Sequence, residues 1–227
     1  MRDTRATAHS DQNGPAEWAS QHALNSYSYW PRTAQTAQEP NPILVDKIGS
    51  CPATAAAVEG ARRAGIKVVW IKMGFQPDLS DLGAEDVPNG FLFLHLGVKD
   101  GVLARDQWGT DIVDELTPED GEPVIYKTRF SAFYRTELDE LLRSYGAKHL
   151  IITGCTTSIC VESTIRDAFF RDYHCILLED CTAEPMGRNL SRSNHEATVL
   201  LVERIFGSVS SSTDFINALQ PAGALTA

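Results

Sequence analysis

His149-Leu-Ile-Ile-Thr-Gly-Cys-Thr-Thr-Ser-Ile-Cys160-Val-Glu-Ser-Thr-Ile-Arg-Asp-Ala168 is the stretch on which the fold turns. Leu150 to Thr153 is a short run of the kind a buried parallel strand needs. Gly154 ends it, and Thr156, Thr157 and Ser158 supply turn and N-cap residues. A helical period follows, with Val161, Ile165, Ala168 and Phe169 on one face and Glu162, Arg166 and Asp167 off it. Cys160 thus falls in the first turn of a helix, just beyond the carboxyl end of a central strand. Open α/β sheets place their ligands there. The unpaired N–H groups and the positive end of the helix dipole favour a thiolate at that place. Two readings of Cys160 stand: an activated nucleophile, which the strand–turn–Cys–helix order favours, and a buried structural cysteine.

Outward from this stretch, strand and helix patterns alternate. Ile43-Leu-Val45 is a short strand-like run ending in Asp46. Pro52 opens a helix to Ala64, capped by Gly65, and Ile66 to Ile71 reads as a strand. Residues 73–107 form a long irregular stretch with Pro77 and Pro88, of the kind that serves as a lid or subunit contact. A short amphipathic helix at Asp111–Leu116 leads to a strand, Pro123–Tyr126, with Lys127 just after it. Thr136 reads as the N-cap of a helix whose inner face is Leu138, Leu141, Leu142 and Tyr145, ended by Gly146. Beyond the Cys160 helix come a strand, Cys175–Leu178, and an acidic turn, Glu179-Asp180. A helix over 190–206 turns Ala197, Leu200, Leu201 and Ile205 inward; a brief strand at 208–210 and a helix from Thr213 to Leu219 close the body. This order predicts one α/β domain over 41–227, its sheet mostly parallel with helices on both faces. Residues 1–40, polar and without periodicity, are expected to form an irregular N-terminal arm.

Composition limits the partners. The apolar share is 43% and the charged share 22%, those of a globular chain. Lys and Arg number 20 against 30 Asp and Glu, a formal charge of −10, which argues against nucleic acid or an anionic membrane. The five cysteines are odd in number and lack metal-type spacing, which suggests a reducing, cytoplasmic compartment. No run reaches membrane-spanning length, and no Cys/His cluster or Gly-rich phosphate loop calls for a metal or cofactor.

A thiolate nucleophile needs a pKa-lowering neighbour, a proton carrier and donors for the oxyanion. Lys127, at the end of a neighbouring strand, either points into the crevice of Cys160 or is a solvated strand-end lysine. The backbone N–H groups of Thr156 and Cys160 are natural oxyanion donors. Phe130, Phe133 and Tyr134 either wall a small substrate pocket or pack their own loop. His95 reads as a packed histidine, and His149, His174 and His195 need no function.

Three segments carry a family resemblance: Lys127-Thr-Arg-Phe-Ser-Ala-Phe133, Thr136-Glu-Leu138 and Gly154-Cys-Thr-Thr-Ser-Ile-Cys-Val161. They resemble the isochorismatase-like cysteine hydrolases. Cys160-Val-Glu-Ser-Thr-Ile-Arg-Asp-Ala-Phe-Phe170 with Leu177-Leu-Glu-Asp180 is most similar to ureidoacrylate amidohydrolases, and Gln76-Pro-Asp-Leu-Ser-Asp-Leu82 to a loop of biuret hydrolases. The match spans about residues 52 to 220. It implies a Rossmann-like three-layer α/β/α sandwich with a parallel sheet of about six strands, no cofactor or metal, and a homo-oligomer. It implies an Asp–Lys–Cys triad with Cys160 as nucleophile and Lys127 as the lysine, and a cis peptide before Thr156. Because family members that cleave the isochorismate ether typically lack this cysteine, it also implies C–N cleavage of a small amide or ureido substrate.

One family feature is missing. The acid normally ends a first strand in an apolar-apolar-Asp-x-Gln pattern, and this chain has no such stretch. Counting back from Trp70 lands near Asn25. Either the acid is displaced to Asp46 or the first strand is lost. The leading expectation is a cysteine amidohydrolase; the alternatives are a non-catalytic or weakly active member without the acid, and an isochorismatase-type hydrolase.

Overall fold

The strand expected at the centre is there. In the computed structural model, which describes residues 22–28 (backbone only), 50–83, 101, 103–184 and 186–220, the organising stretch forms β4, His149–Cys155. The other strands are β1 His22–Ser28, β2 Lys67–Met73, β3 Val124–Lys127, β5 His174–Ala183 and β6 Gly207–Ser210. They make one six-stranded sheet in the order β3-β2-β1-β4-β5-β6, with every pairing parallel. The order in which strands are added reverses between β1 and β4. At such a switch point the connections leave in opposite directions, and a crevice opens at the carboxyl ends of the strands.

Parallel strands with both faces covered must be apolar on both sides. In β2, Val69 and Ile71 face one layer and Val68 and Trp70 the other; in β4, Leu150 and Ile152 oppose Ile151. The first layer is built on α2 (Leu138–Ser144) and α3 (Glu162–Phe169), and on the π-turn Val202–Phe206 that follows α4 (Asn194–Leu201). The opposite layer is α1 (Ser50–Arg63) and α5 (Ser212–Ala218), through Ala57, Val58, Ala61 and Phe215. Helices therefore cover both faces, as the alternation predicts.

Several sequence expectations need correction. β1 lies inside the stretch expected to be an irregular arm, and it pairs with both β2 and β4. The first strand is therefore not lost. Its segment, His-Ala-Leu-Asn-Ser-Tyr-Ser, lacks the branched apolar run that marks a buried strand, so it carries no strand pattern of its own. The acidic Glu179-Asp180 is not a turn: β5 runs on to Ala183, and the Asp180 carboxylate accepts hydrogen bonds from the Ser212 N–H at 2.8 Å and hydroxyl at 2.5 Å. Asp111–Leu116 is not a continuous helix; single 3-10 turns at Trp108–Thr110 and Asp114–Leu116 flank an extended link. On α4 and its π-turn, Leu200 and Ile205 are exposed, while Thr198, Val202 and Phe206 are buried. Within the π-turn the extra residue shifts the inward position from Ile205 to Phe206. Phe169 is likewise half-exposed and meets Phe206 edge-on at 5.4 Å. Ile43–Val45, Asp46 and His95 lie outside the described residues.

Candidate active site at the carboxyl edge of the sheet

Local chemistry shapes the end of β4. Gly154 has φ 105°, a conformation L side chains rarely adopt, and the pairing with β5 shifts register between Ile152 and Gly154. The Cys155–Thr156 peptide is cis, as the resemblance implies. The chain then enters a π-turn, Thr157–Val161, that leads directly into α3. Cys160 sits in that turn rather than in a regular α-turn, 2% exposed and in contact with the core of the first layer.

Lys127 is the last residue of β3, not the residue after it. It is 1% exposed, which overturns the reading of a solvated strand-end lysine. Its Nζ lies 3.3 Å from Cys160 Sγ, 3.0 Å from the Arg129 carbonyl and 3.6 Å from Met73 Sδ. Nor is its strand the neighbour of β4, since β2 and β1 stand between them. The long side chain reaches across the crevice at the switch point.

The segment after Lys127 is bound to α3. The Ala132 N–H donates to Thr164 Oγ1 at 2.9 Å, and the Ser131 hydroxyl donates to Asp167. Phe133 is buried and stacks on Tyr173 at 5.9 Å, with Arg171 4.9 Å from its ring. Phe130 is half-buried and packs against both the first-layer core and a small cluster of Met73, Phe75, Leu82 and Leu103. Arg129 donates to the carbonyls of Thr128 at 2.6 Å and Asp81 at 3.4 Å, and lies 5.4 Å from the Tyr134 ring.

Three further groups to which the residue pattern gives no role contact the Cys160 turn: Thr182, His195 and Glu184. Thr157 Oγ1 is 2.9 Å from Thr182 Oγ1 and 3.0 Å from His195 Nδ1. Glu184, 7% exposed, accepts from the Ser158 N–H at 3.1 Å and hydroxyl at 2.5 Å. With the strand expected to end at Leu178, the sequence pattern assigns Thr182 and Glu184 no place near Cys160; the extension of β5 to Ala183 brings them there.

Residues 37–214 match the isochorismatase domain. The chain belongs to the isochorismatase family. This isochorismatase-family hydrolase is 39% identical over 172 residues to the ureidoacrylate amidohydrolase RutB of Enterobacter sp. (strain 638), covering 73% of each chain. Among solved structures it is similar to a cysteine hydrolase from Pseudomonas syringae pv. phaseolicola 1448A, with a TM-score of 0.74 at 22% identity over 91% of this chain and 94% of that one. An isochorismatase family protein from Desulfovibrio vulgaris subsp. vulgaris str. Hildenborough gives a TM-score of 0.70 at 26% identity, over 88% and 98%. Among the described residues, no helix of this family member is long and apolar enough to cross a membrane.

Proposed function

We propose that this isochorismatase-family chain is a cofactor-independent cysteine amidohydrolase that cleaves a C–N bond of a small ureido or amide substrate. The observation that carries the reading is the buried contact between Lys127 Nζ and Cys160 Sγ at 3.3 Å. An ammonium at that distance, shielded from water, favours a sulfur anion, and the thiolate is the nucleophilic form. The relative at 39% identity, a ureidoacrylate amidohydrolase, supports the substrate class.

In this mechanism Cys160 sulfur attacks the carbonyl carbon, and the carbonyl π electrons move to oxygen. The N–H groups of Thr156 and Cys160 hold that oxyanion. Collapse breaks the C–N bond, and the nitrogen leaves with a proton delivered by an acid. Water then attacks the carbon held on sulfur, a thioester from an amide or a thiocarbamate from a ureido group; the C–S bond breaks, the acid product leaves and the thiol is restored. Phe130, backed by Phe133, forms an apolar wall for the substrate. Asp46 is the proposed acid. Assembly as a homo-oligomer and a cytoplasmic setting belong to the same proposal, supported by the family resemblance and by five free cysteines.

One observation favours a second reading, a weakly active member. β1 occupies the place of the family's first strand, yet its segment holds no Asp or Glu. Ammonia release from a panel of ureido acids, biuret and small amides tests the proposal. Release by the wild-type chain that is abolished in Cys160→Ala supports it. No release from any of them, with Cys160 still alkylated readily, supports the second reading.

A further inference from the structure

The π-turn bearing Cys160 has a consequence for the oxyanion donors. The Thr156 carbonyl accepts from the Ile159 N–H at 3.2 Å and from the Val161 N–H, five residues on, at 3.2 Å. In an α-turn the same carbonyl would take the N–H four residues on, which is that of Cys160. The π register therefore moves the Cys160 N–H off the acceptor that a regular helix would give it. Single π-turns inside helices recur at functional sites.

Something must hold this register, and Thr156 does not, because its side chain makes no capping hydrogen bond. The first N–H groups of a helical segment need partners from elsewhere when the N-cap side chain supplies none. Glu184, just past the end of β5, takes that place. One carboxylate oxygen receives both the Ser158 N–H and the Ser158 hydroxyl, at 3.1 and 2.5 Å, and the other receives the Met186 N–H at 3.0 Å. A buried carboxylate is costly to leave unsatisfied, so donors this close fix the geometry on both sides. One residue earlier in the turn, Thr157 is held to Thr182 of the same strand end.

We propose that Glu184 is a positioning residue. Its carboxylate pins Ser158, keeps the Cys160 turn in π register, and so holds the Cys160 N–H in place for the oxyanion. The proposal rests on the cysteine-hydrolase reading, but not on turnover, because an aldehyde probes the same donors. When Cys160 sulfur adds to propionaldehyde, an S–C bond forms, the C=O π bond breaks, and the oxygen takes the negative charge before protonation by water. The adduct blocks alkylation, so protection against iodoacetamide reports how well the oxyanion is held.

The experiment compares wild type, Glu184→Ala and Glu184→Gln for unprotected iodoacetamide labelling of Cys160, protection by propionaldehyde, thermal midpoint, and kcat and KM wherever ammonia release is measurable. In Glu184→Ala, protection should weaken and kcat should fall by about ten-fold or more, while KM and the unprotected labelling rate stay within about two-fold of wild type. Glu184→Gln keeps an acceptor for Ser158 and should recover part of both losses. Unchanged protection in Glu184→Ala overturns the proposal. So does a parallel loss of protection, labelling and thermal midpoint that Glu184→Gln does not relieve, because that pattern is plain unfolding. Wild type that is protected by aldehyde yet releases no ammonia counts against the amidohydrolase reading alone. Wild type that is not protected overturns the positioning role.

Discussion

Lys127 Nζ lies 3.3 Å from the Cys160 sulfur, whereas the surroundings of Cys51, Cys175 and Cys181 favour the protonated thiol. Burial holds Cys175 and Cys181 up at about 12, and burial, then the charge of Glu115, raises Cys51. Thiols raised in this way stay protonated and unreactive at neutral pH. Iodoacetamide near neutral pH, followed by peptide mapping, should therefore label Cys160 ahead of Cys51, Cys175 and Cys181; faster labelling of Cys51 or Cys181 would show that Lys127 does not activate its neighbour. Replacing Lys127 tests the same contact from the other side. Because the side chain is 1% exposed, Lys127→Ala also opens a cavity, and Lys127→Met is the cleaner variant. We expect Lys127→Met to stay folded and to slow Cys160 labelling by about ten-fold or more; an unchanged rate would return Lys127 to a packing role. The nearness of Cys160 to a strand end was legible in the sequence, because strand ends are where α/β sheets gather chemistry, whereas the position of Lys127 left both a crevice-facing and a solvated reading open. Lys127's burial was not legible, since the residues that cover it come from β2 and from the Cys160 turn.

Among the elements, Glu122 is the node that ties α1 to the sheet. Its carboxylate accepts hydrogen bonds from Nε and Nη2 of Arg62 in α1, each at 2.8 Å, and from the indole N–H of Trp70 in β2 at 2.6 Å. Burial alone would raise this carboxyl, but hydrogen bonds from Arg62, the Glu119 N–H and Trp70, together with the Arg62 charge, hold it below its usual value. A carboxyl lowered in the folded state adds stability that is complete above its unfolded value and is lost as pH falls through the folded one. Glu122→Gln should thus cost about 1–3 kcal/mol at neutral pH. In thermal melts across pH, the gap to wild type should narrow below about pH 4; a gap that widens on acidification would contradict the assignment. Element boundaries were legible where periodicity and a terminal glycine agreed, as at Arg63 and Gly65, whose φ is 75°. They failed where tertiary partners override local polarity. β5 continues through Glu179 and Asp180 because Ser212 of α5 satisfies the Asp180 carboxylate. α4 presents Thr198 rather than Leu200 to the interior, where its hydroxyl donates to Glu162 at 2.8 Å.

For the whole molecule, the sheet order places β1 between β2 and β4, at the switch point beneath the Lys127–Cys160 contact. The alternation of elements made the parallel sheet and its two helical layers legible, but β1 is recognised through its neighbours and not through its own residues. A proline there removes a ladder donor between two paired strands. Leu24→Pro should lower the thermal midpoint by several degrees, on the order of 2–4 °C per kcal/mol; an unaltered midpoint would remove β1 from the centre of the sheet. The same strand brings no carboxylate to the site, so proton delivery falls to Asp46 in the proposed mechanism. Asp46→Asn should cut ammonia release by about 10²–10⁴-fold while leaving Cys160 alkylation intact; undiminished release would place the acid elsewhere. The most direct test of the account is a rapid acid quench of the protein turning over a ureido acid labelled at its carbonyl carbon, followed by peptide mapping. That carbon stays on sulfur whichever nitrogen departs. The account predicts label on the Cys160 peptide, and neither label nor ammonia with Cys160→Ala; ammonia release that persists in Cys160→Ala, or label on any other residue, would contradict it.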